Sequence, residues 1–206
     1  GRIRISSIEP NLLTNEIIEF CASSKKFMPH FHMPLQSGSD KILGAMRRRY
    51  KRDLFVNRVT RIKQIIADAC IGVDVIVGFP GETDKDFLDT YNFLNELDIS
   101  YLHVFTYSER PNTDAIKMNE VVSKEIRKER RKMLHILSDK KRRFFHDQFI
   151  RKYRPVLFEN MKNGKLLGHT DNYIQIQMEG GSDLINSIHS VKLVDNHGIV
   201  VDGKLS

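Results

Sequence analysis

The run Val73-Asp-Val-Ile-Val-Gly-Phe-Pro-Gly-Glu-Thr83 constrains the fold more than any other part of the chain. Its first half alternates, with Val73, Val75 and Val77 on one face of a strand and Asp74 and Ile76 on the other. A Gly-Phe-Pro-Gly-Glu turn follows, and Thr83 with Asp86 three residues later predicts a capping box that opens a helix. Gly78 and Gly81 carry no Cβ, so the backbone can turn sharply and let a flat ligand approach closely. Strand, glycine turn and helix in that order place a small-molecule site at the strand's C-terminal edge. An ordinary strand-to-helix turn of an α/β protein would read the same way, and that alternative stays open here.

The pattern repeats. Strands are expected over Ile3–Ile5, His30–Leu35, Val73–Val77 and Tyr101–Tyr107, with helices near Thr14–Ala22, Asp40–Met46, Asp53–Cys70 and Asp84–Leu97. Within Asp53–Cys70, Phe55, Val59, Ile62, Ile66 and Ala69 recur at helical spacing and predict one buried face. Strands separated by helices imply parallel pairing through right-handed crossovers. Four such units are too few to close an eight-stranded barrel, so they read as the second half of a barrel or of an open sheet. The chain starts without methionine and enters a strand at once, which reads as a piece of a longer protein.

Charge divides the chain. Between Glu120 and Arg154, 13 Lys and Arg stand against five acids, a net of +8, while the whole chain is +7. Everything outside that segment therefore sums to −1. Ile126, Met133, Leu137 and Phe144 at near-heptad spacing predict one long amphipathic helix there, with Arg127, Lys128, Arg131, Lys140 and Arg143 on its polar face. A concentrated basic face suits phosphate contacts and salt-sensitive RNA binding; a solvated helix face with partial Glu–Lys pairing is the plainer alternative.

Arg154-Pro155 is expected to end that helix. Short strands follow at Val156–Glu159, Tyr173–Met178, Val191–Val194 and Ile199–Val201, separated by turns such as Asn163-Gly164 and Asp202-Gly203. Close spacing without helices predicts a small antiparallel β-barrel. The expected division is 1–145, an α/β part with parallel strands that includes the basic helix, and 146–206, the barrel. Barrels of this size often bind nucleic acid across one face, and Lys165, His169 and Tyr173 are candidates for that role or for ordinary surface positions. Composition is that of a globular protein, 40% hydrophobic and 29% charged. No apolar run approaches membrane-spanning length. Cys21 and Cys70 are far apart and fall in apolar helical patterns, which fits a reducing cytoplasm and neither a disulfide framework nor a metal set.

Four ordered motifs now carry a resemblance: His32-Met-Pro-Leu-Gln-Ser-Gly-Ser-Asp40, Leu43-Gly-Ala-Met-Arg-Arg-Arg-Tyr50, Ile76-Val-Gly-Phe-Pro-Gly-Glu-Thr83 and Phe105-Thr-Tyr-Ser-Glu-Arg-Pro-Asn-Thr-Asp-Ala115. Together they resemble the radical-SAM methylthiotransferases, and the C-terminal barrel resembles that family's tRNA-binding TRAM domain. Gly168-His-Thr-Asp-Asn-Tyr-Ile174 is most similar to the branch acting on N6-threonylcarbamoyladenosine 37 of tRNA. The resemblance implies the C-terminal half of a (β/α) radical-SAM barrel. It also implies two [4Fe–4S] clusters whose ligands lie outside this chain, since Cys21 and Cys70 cannot supply a CxxxCxxC loop. The parent enzyme would cleave S-adenosylmethionine to a 5′-deoxyadenosyl radical, abstract hydrogen from adenosine C2 and insert a methylthio group, with the anticodon stem-loop as partner. The chain by itself would be inactive and is assigned no catalytic residue.

The same resemblance assigns Gly78, Phe79, Pro80, Gly81 and Glu82 to the turn against the adenine of S-adenosylmethionine. Gln36, Ser37, Ser7 and Glu9, at the ends of two further strands, become candidates for its ribose, amino or methionine end. Each could instead stabilise a local turn. Arg48, within Met46-x-Arg48-x-Tyr50, could bind a carboxylate or phosphate or act as a surface cation; Arg49 has no obvious role. Ser108, Arg110 and Pro111 end the last strand, and Asn112 stands where the family often has glycine. His30 and His32 share a strand face, but with no third ligand evident they are expected to be packed, not metal-bound. The isopentenyladenosine branch, the branch modifying a ribosomal protein, and a non-catalytic RNA-binding protein remain alternatives.

Overall fold

The computed structural model describes residues 1–111, 113–118 and 120–205, so Asn112 lies outside the described residues. Its first part is a four-stranded parallel sheet in the order β1 (Ile3–Ile5), β2 (Phe27–Gln36), β3 (Cys70–Val77), β4 (Tyr101–Thr106). The helices α1 (Asn15–Ser23), α2 (Asp40–Ala45), α3 (Arg52–Ile65) and α4 (Asp84–Glu96) connect the strands, and α5 (Lys124–Asp147) packs against β4. The chain therefore has the expected α/β half-barrel order. At β3 the alternation behaves as the sequence predicts: Val73, Val75 and Val77 are fully buried, and Asp74 and Ile76 are only half-buried. The capping box at Thr83 and Asp86 forms in both directions.

The expected helix Asp53–Cys70 ends five residues early, at Ile65. Residues 70–77 alternate inward apolar positions through Ile71 and Val73, so strand pairing takes them over from the helical period, and Cys70 belongs to β3. The basic helix is also shorter than expected, and its buried stripe is different. Arg127, Arg130, Leu134, Leu137, Ser138 and Phe145 face inward, whereas Ile126, Met133 and Phe144 are exposed. Of the expected stripe Leu137 alone is buried; the rest is displaced because two arginines sit on the packed face, and polar residues carry no apolar signal.

Arg154 and Pro155 do not end that helix; they lie inside β5 (Tyr153–Lys162). The chain reaches β5 through Arg151, held in the left-handed region at φ 69°. With β6 (Lys165–Thr170), β7 (Gln175–Glu179), β8 (Ile188–Asn196) and β9 (Val200–Leu205), it closes a five-stranded barrel. The sequence reading missed β6 and took the barrel as wholly antiparallel, whereas β7 and β9 pair in parallel. Closure leaves no free edge, and Val156, Phe158, Leu166, Ile176, Val191 and Val201 fill the interior. No helix among the described residues is long and apolar enough to cross a membrane.

The two parts are joined by a polar seam. Arg2 donates to the Pro155 carbonyl (2.9 Å), Asn172 Nδ2 donates to the Asp68 carbonyl (3.2 Å), and Arg154 ion-pairs with both Asp68 and Asp171. Beneath the seam, Cys70 and Tyr101 of the sheet and Phe145 and Phe149 join the barrel's apolar core.

Candidate functional site

The turn after β3 is set by two left-handed glycines and packed closely from behind. Gly78 and Gly81 adopt φ 76° and 83°, a conformation costly to residues with a Cβ. A Cβ on Gly78 would also come within 2.3 Å of Arg127 Cγ. Behind the turn, Glu82 Oε2 accepts from the Gly78 N–H (2.7 Å) and from Arg130 (2.7 Å), and Arg130 reaches on to Asp84 (2.7 Å). Burial raises the Glu82 pKa, and the Gly78 N–H and Arg130 pull against that rise. Glu82, expected at the ligand, thus braces the turn from the rear through its Oε2.

In front of the turn lies a cleft of about 580 Å³, walled by Ile76, Phe79, Phe105 and Tyr107 and closed on one side by Met46 and Arg48. Phe79 and Tyr107 meet edge to face at 5.4 Å. Arg48 pairs with Glu9 (3.2 Å), while its Nε is buried without a partner. Tyr50 donates to the Pro34 carbonyl (2.7 Å), which fixes the segment after α2 beneath β2. Gln36 stands at φ 70° and is nearly buried. Ser37 is fully buried, its Oγ accepting from the Ser39 N–H (3.1 Å) and lying 3.3 Å from Thr90 Oγ1, so it shapes the backbone and presents no free hydroxyl. Ser7 is exposed at the end of β1.

From Phe105 the cleft runs into a trough along the uncovered face of the sheet. There parallel register sets Asp74 of β3 beside His103 of β4. His32 Nε2 lies 2.8 Å from Asp74 Oδ1, and His103 Nδ1 lies 3.8 Å from the same oxygen. One ligand atom from each of the three falls within 4.8 Å of the others, a donor set the sequence reading missed because its members lie 42 and 29 residues apart. His30 is not part of it. His30 Nε2 is 3.0 Å from the Tyr101 hydroxyl, and burial pushes its pKa down to about 3. Gly72 makes that contact possible, because a Cβ there would lie 2.3 Å from the Tyr101 ring that crosses it.

The basic candidates separate. Lys128, Arg131, Lys140 and Arg143 are exposed on α5. Arg127 is not: its guanidinium donates to the Val122 and Tyr107 carbonyls and to Glu109, and its side chain is withdrawn from solvent. The expectation that Arg127 lies on the polar face is therefore corrected; it buttresses Gly78. Lys165 is half-buried on β6. His169 and Tyr173 stack at 4.9 Å and 14°, with Arg4 over the Tyr173 ring at 4.6 Å and His30 at 4.3 Å. Tyr173 sits at φ 71° and carries this stack at the seam between sheet and barrel.

S-adenosylmethionine fits the cleft by its chemistry: apolar and aromatic walls suit an adenine, and a partly unpartnered guanidinium suits a carboxylate. An iron–sulfur cluster does not fit this chain. Cys21 and Cys70 are both buried, and burial drives the Cys70 thiol up to about 12, away from the thiolate a cluster needs.

Residues 1–94 match the Radical SAM superfamily. The chain is 38% identical over 198 residues to the threonylcarbamoyladenosine tRNA methylthiotransferase MtaB of Bacillus subtilis, covering 94% of this chain and 44% of that protein. It is 41% identical over 178 residues to the protein of the same name from Aquifex aeolicus, covering 86% and 42%. Against the tRNA-2-methylthio-N(6)-dimethylallyladenosine synthase of Wolinella succinogenes it is 35% identical over 208 residues, covering 98% and 47%. The chain thus spans less than half the length of these relatives. Among solved structures, coproporphyrinogen III oxidase (HemN) of Escherichia coli shares the fold at TM-score 0.52 and 16% identity, covering 72% of this chain and 32% of that one.

Proposed function

The chain belongs to the radical-SAM methylthiotransferases, and from that premise we propose that it forms part of the S-adenosylmethionine site and part of the tRNA site of an enzyme acting on N6-threonylcarbamoyladenosine 37. The observation that carries the reading is the turn Gly78–Glu82: two left-handed glycines shape it, Phe79 stands in the wall of an aromatic cleft, and Arg127 and Arg130 brace it from behind. A binding protein with no nucleoside ligand has no need of this arrangement.

In this reading the Gly78–Gly81 backbone and Phe79 hold the adenine, which Ile76 and Tyr107 shield from water. Pro80 fixes the turn's φ. Arg48, shared with Glu9, takes the carboxylate end, and Gln36 and Ser7 lie at the neighbouring strand ends for the ribose side. When bound, S-adenosylmethionine supplies both the radical and the methyl group. What the protein contributes is position and a dry wall. No cluster ligand is assigned within this chain.

Outside the cleft, Lys128, Arg131, Lys140 and Arg143 of α5 meet the phosphates of the anticodon stem-loop, and Lys165 extends that track onto the barrel. The enzyme works in the cytoplasm, where tRNA is processed. Nucleoside mass spectrometry of total tRNA from cells with and without the gene tests the reading. Loss of the 2-methylthio derivative of threonylcarbamoyladenosine, with its precursor accumulating, is the expected result. Loss of the isopentenyl derivative instead would move the enzyme to the other tRNA branch, and no change in either would leave the ribosomal-protein branch.

A further inference from the structure

Resting on that reading, we infer that the trough beside the cleft discriminates among target bases by the group on N6: Arg4 binds a carboxylate at the end of the N6 arm, and His103 with Asp74 meets the arm's amide atoms. Arg4, His30, His32, Asp74 and His103 come from all four strands and line one trough of about 450 Å³ with Tyr173 at its end. The trough opens toward Phe105, which it shares with the cleft, so a base lying there would sit beside the proposed S-adenosylmethionine site.

Arg4 is the unusual member. Its neighbours are spent: Arg2 donates to two backbone carbonyls, and Arg154 makes a two-pronged pair with Asp171 at 2.9 Å on each side. Arg4 makes one long bond to the Thr170 carbonyl (3.4 Å) and lies over Tyr173, while its Nε is buried with no partner. It holds no ion pair among the described residues. A planar guanidinium in that state suits a planar carboxylate, because two parallel hydrogen bonds would satisfy it.

The surroundings favour an anion. Among the described residues that line the trough the one carboxylate, Asp74, is held by His32 at 2.8 Å. Burial holds the His30 ring neutral, with Arg4 as the permanent cation beside it. His103 is half-exposed, and burial together with His32 lowers its pKa, so its ring is neutral near pH 7. Its Nδ1 faces Asp74, which leaves Nε2 for the ligand. An apolar N6 arm of similar length would press hydrocarbon against the unpartnered Arg4 and leave it desolvated. Sites built this way reject the apolar analogue more strongly than they prefer the polar one.

The test uses anticodon stem-loops of one sequence whose adenosine 37 carries N6-threonylcarbamoyl, the methyl ester of that group, N6-isopentenyl or nothing. Their affinities for this chain are compared by fluorescence anisotropy at fixed salt. The expected result is at least about tenfold tighter binding of the free carboxylate than of its ester. In Arg4→Gln that ratio should fall to near one, and the unmodified loop should bind as before. Because Arg4→Gln touches the seam, His103→Phe serves as a second variant at a half-exposed position; it should weaken the acid and the ester alike by several-fold and spare the unmodified loop. Equal affinity for acid and ester in the wild type overturns the inference while leaving the tRNA reading intact. No binding of any loop overturns both.

Discussion

The two faces of the parallel sheet have opposite chemistry although they share the same strands. Toward the helices, Phe31, Met33, Leu35, Val73, Val75, Val77, Leu102 and Val104 are buried in one apolar cluster. On the other face, the alternate positions of β2, β3 and β4 carry His30, His32, Asp74, Tyr101 and His103. Parallel sheets are normally covered on both sides. Here one side is covered by hydrocarbon and the other is lined with hydrogen-bonding groups that form pairs among themselves and still face a trough. One face supplies stability, and the other supplies recognition.

A charge placed on the covered face has the largest expected effect. Val75→Asp should lower the unfolding free energy by about 5 kcal/mol, enough to abolish a cooperative transition in chemical denaturation. Arg130→Ala comes next: it leaves Glu82 buried without its cation, a loss of about 3 kcal/mol by the same measurement. Glu82→Gln in the Arg130→Ala background should recover part of that loss, since the uncompensated charge is gone. Gly72→Val tests the packing within the open face. Its Cβ would meet the Tyr101 ring, so a loss of about 2 kcal/mol is expected.

Acid sharpens the contrast. His30 on the open face and His146 of α5 are held neutral by burial, with pKa values pushed down to about 3 and about 4 from 6.5. Above 6.5 both folded and unfolded chains are neutral at these positions, and their contribution is complete. As pH falls below 6.5 the unfolded chain takes up protons first, so stability declines through the window down to about 4 for His146 and about 3 for His30. A denaturation midpoint that is flat over this range, or unaltered by His146→Gln, would contradict the assignment. The smallest effect belongs to the open face: His103→Ala should change stability by no more than about 0.5 kcal/mol, as expected of a half-exposed side chain.

Much of this fold was legible without coordinates. The valine alternation, the glycine turn and the capping box at Thr83 and Asp86 are local, and each encodes its own geometry in neighbouring residues. The repeated strand–helix order then dictated parallel pairing. Errors arose where packing overrode a local pattern. Cys70 follows a helical run but pairs with His30, and β6, a short run broken by Gly168, is set as a strand by β5 and β7 on either side. On α5, Arg127 and Arg130 look like surface cations, yet their guanidiniums find carbonyls and carboxylates inside.

The site divides the same way. Sequence alone determined the turn at Gly78–Gly81, since a left-handed backbone must be written in residues that tolerate it. Only the tertiary structure decided that Glu82 and Arg127 stand behind that turn instead of in front of it. It alone brought His32, Asp74 and His103 together, and it set Tyr173 against Arg4 across 169 residues. The physical reason is range. Backbone conformation is settled by steric contacts between neighbours, whereas the direction and partner of a polar side chain depend on which distant strand lies beside it.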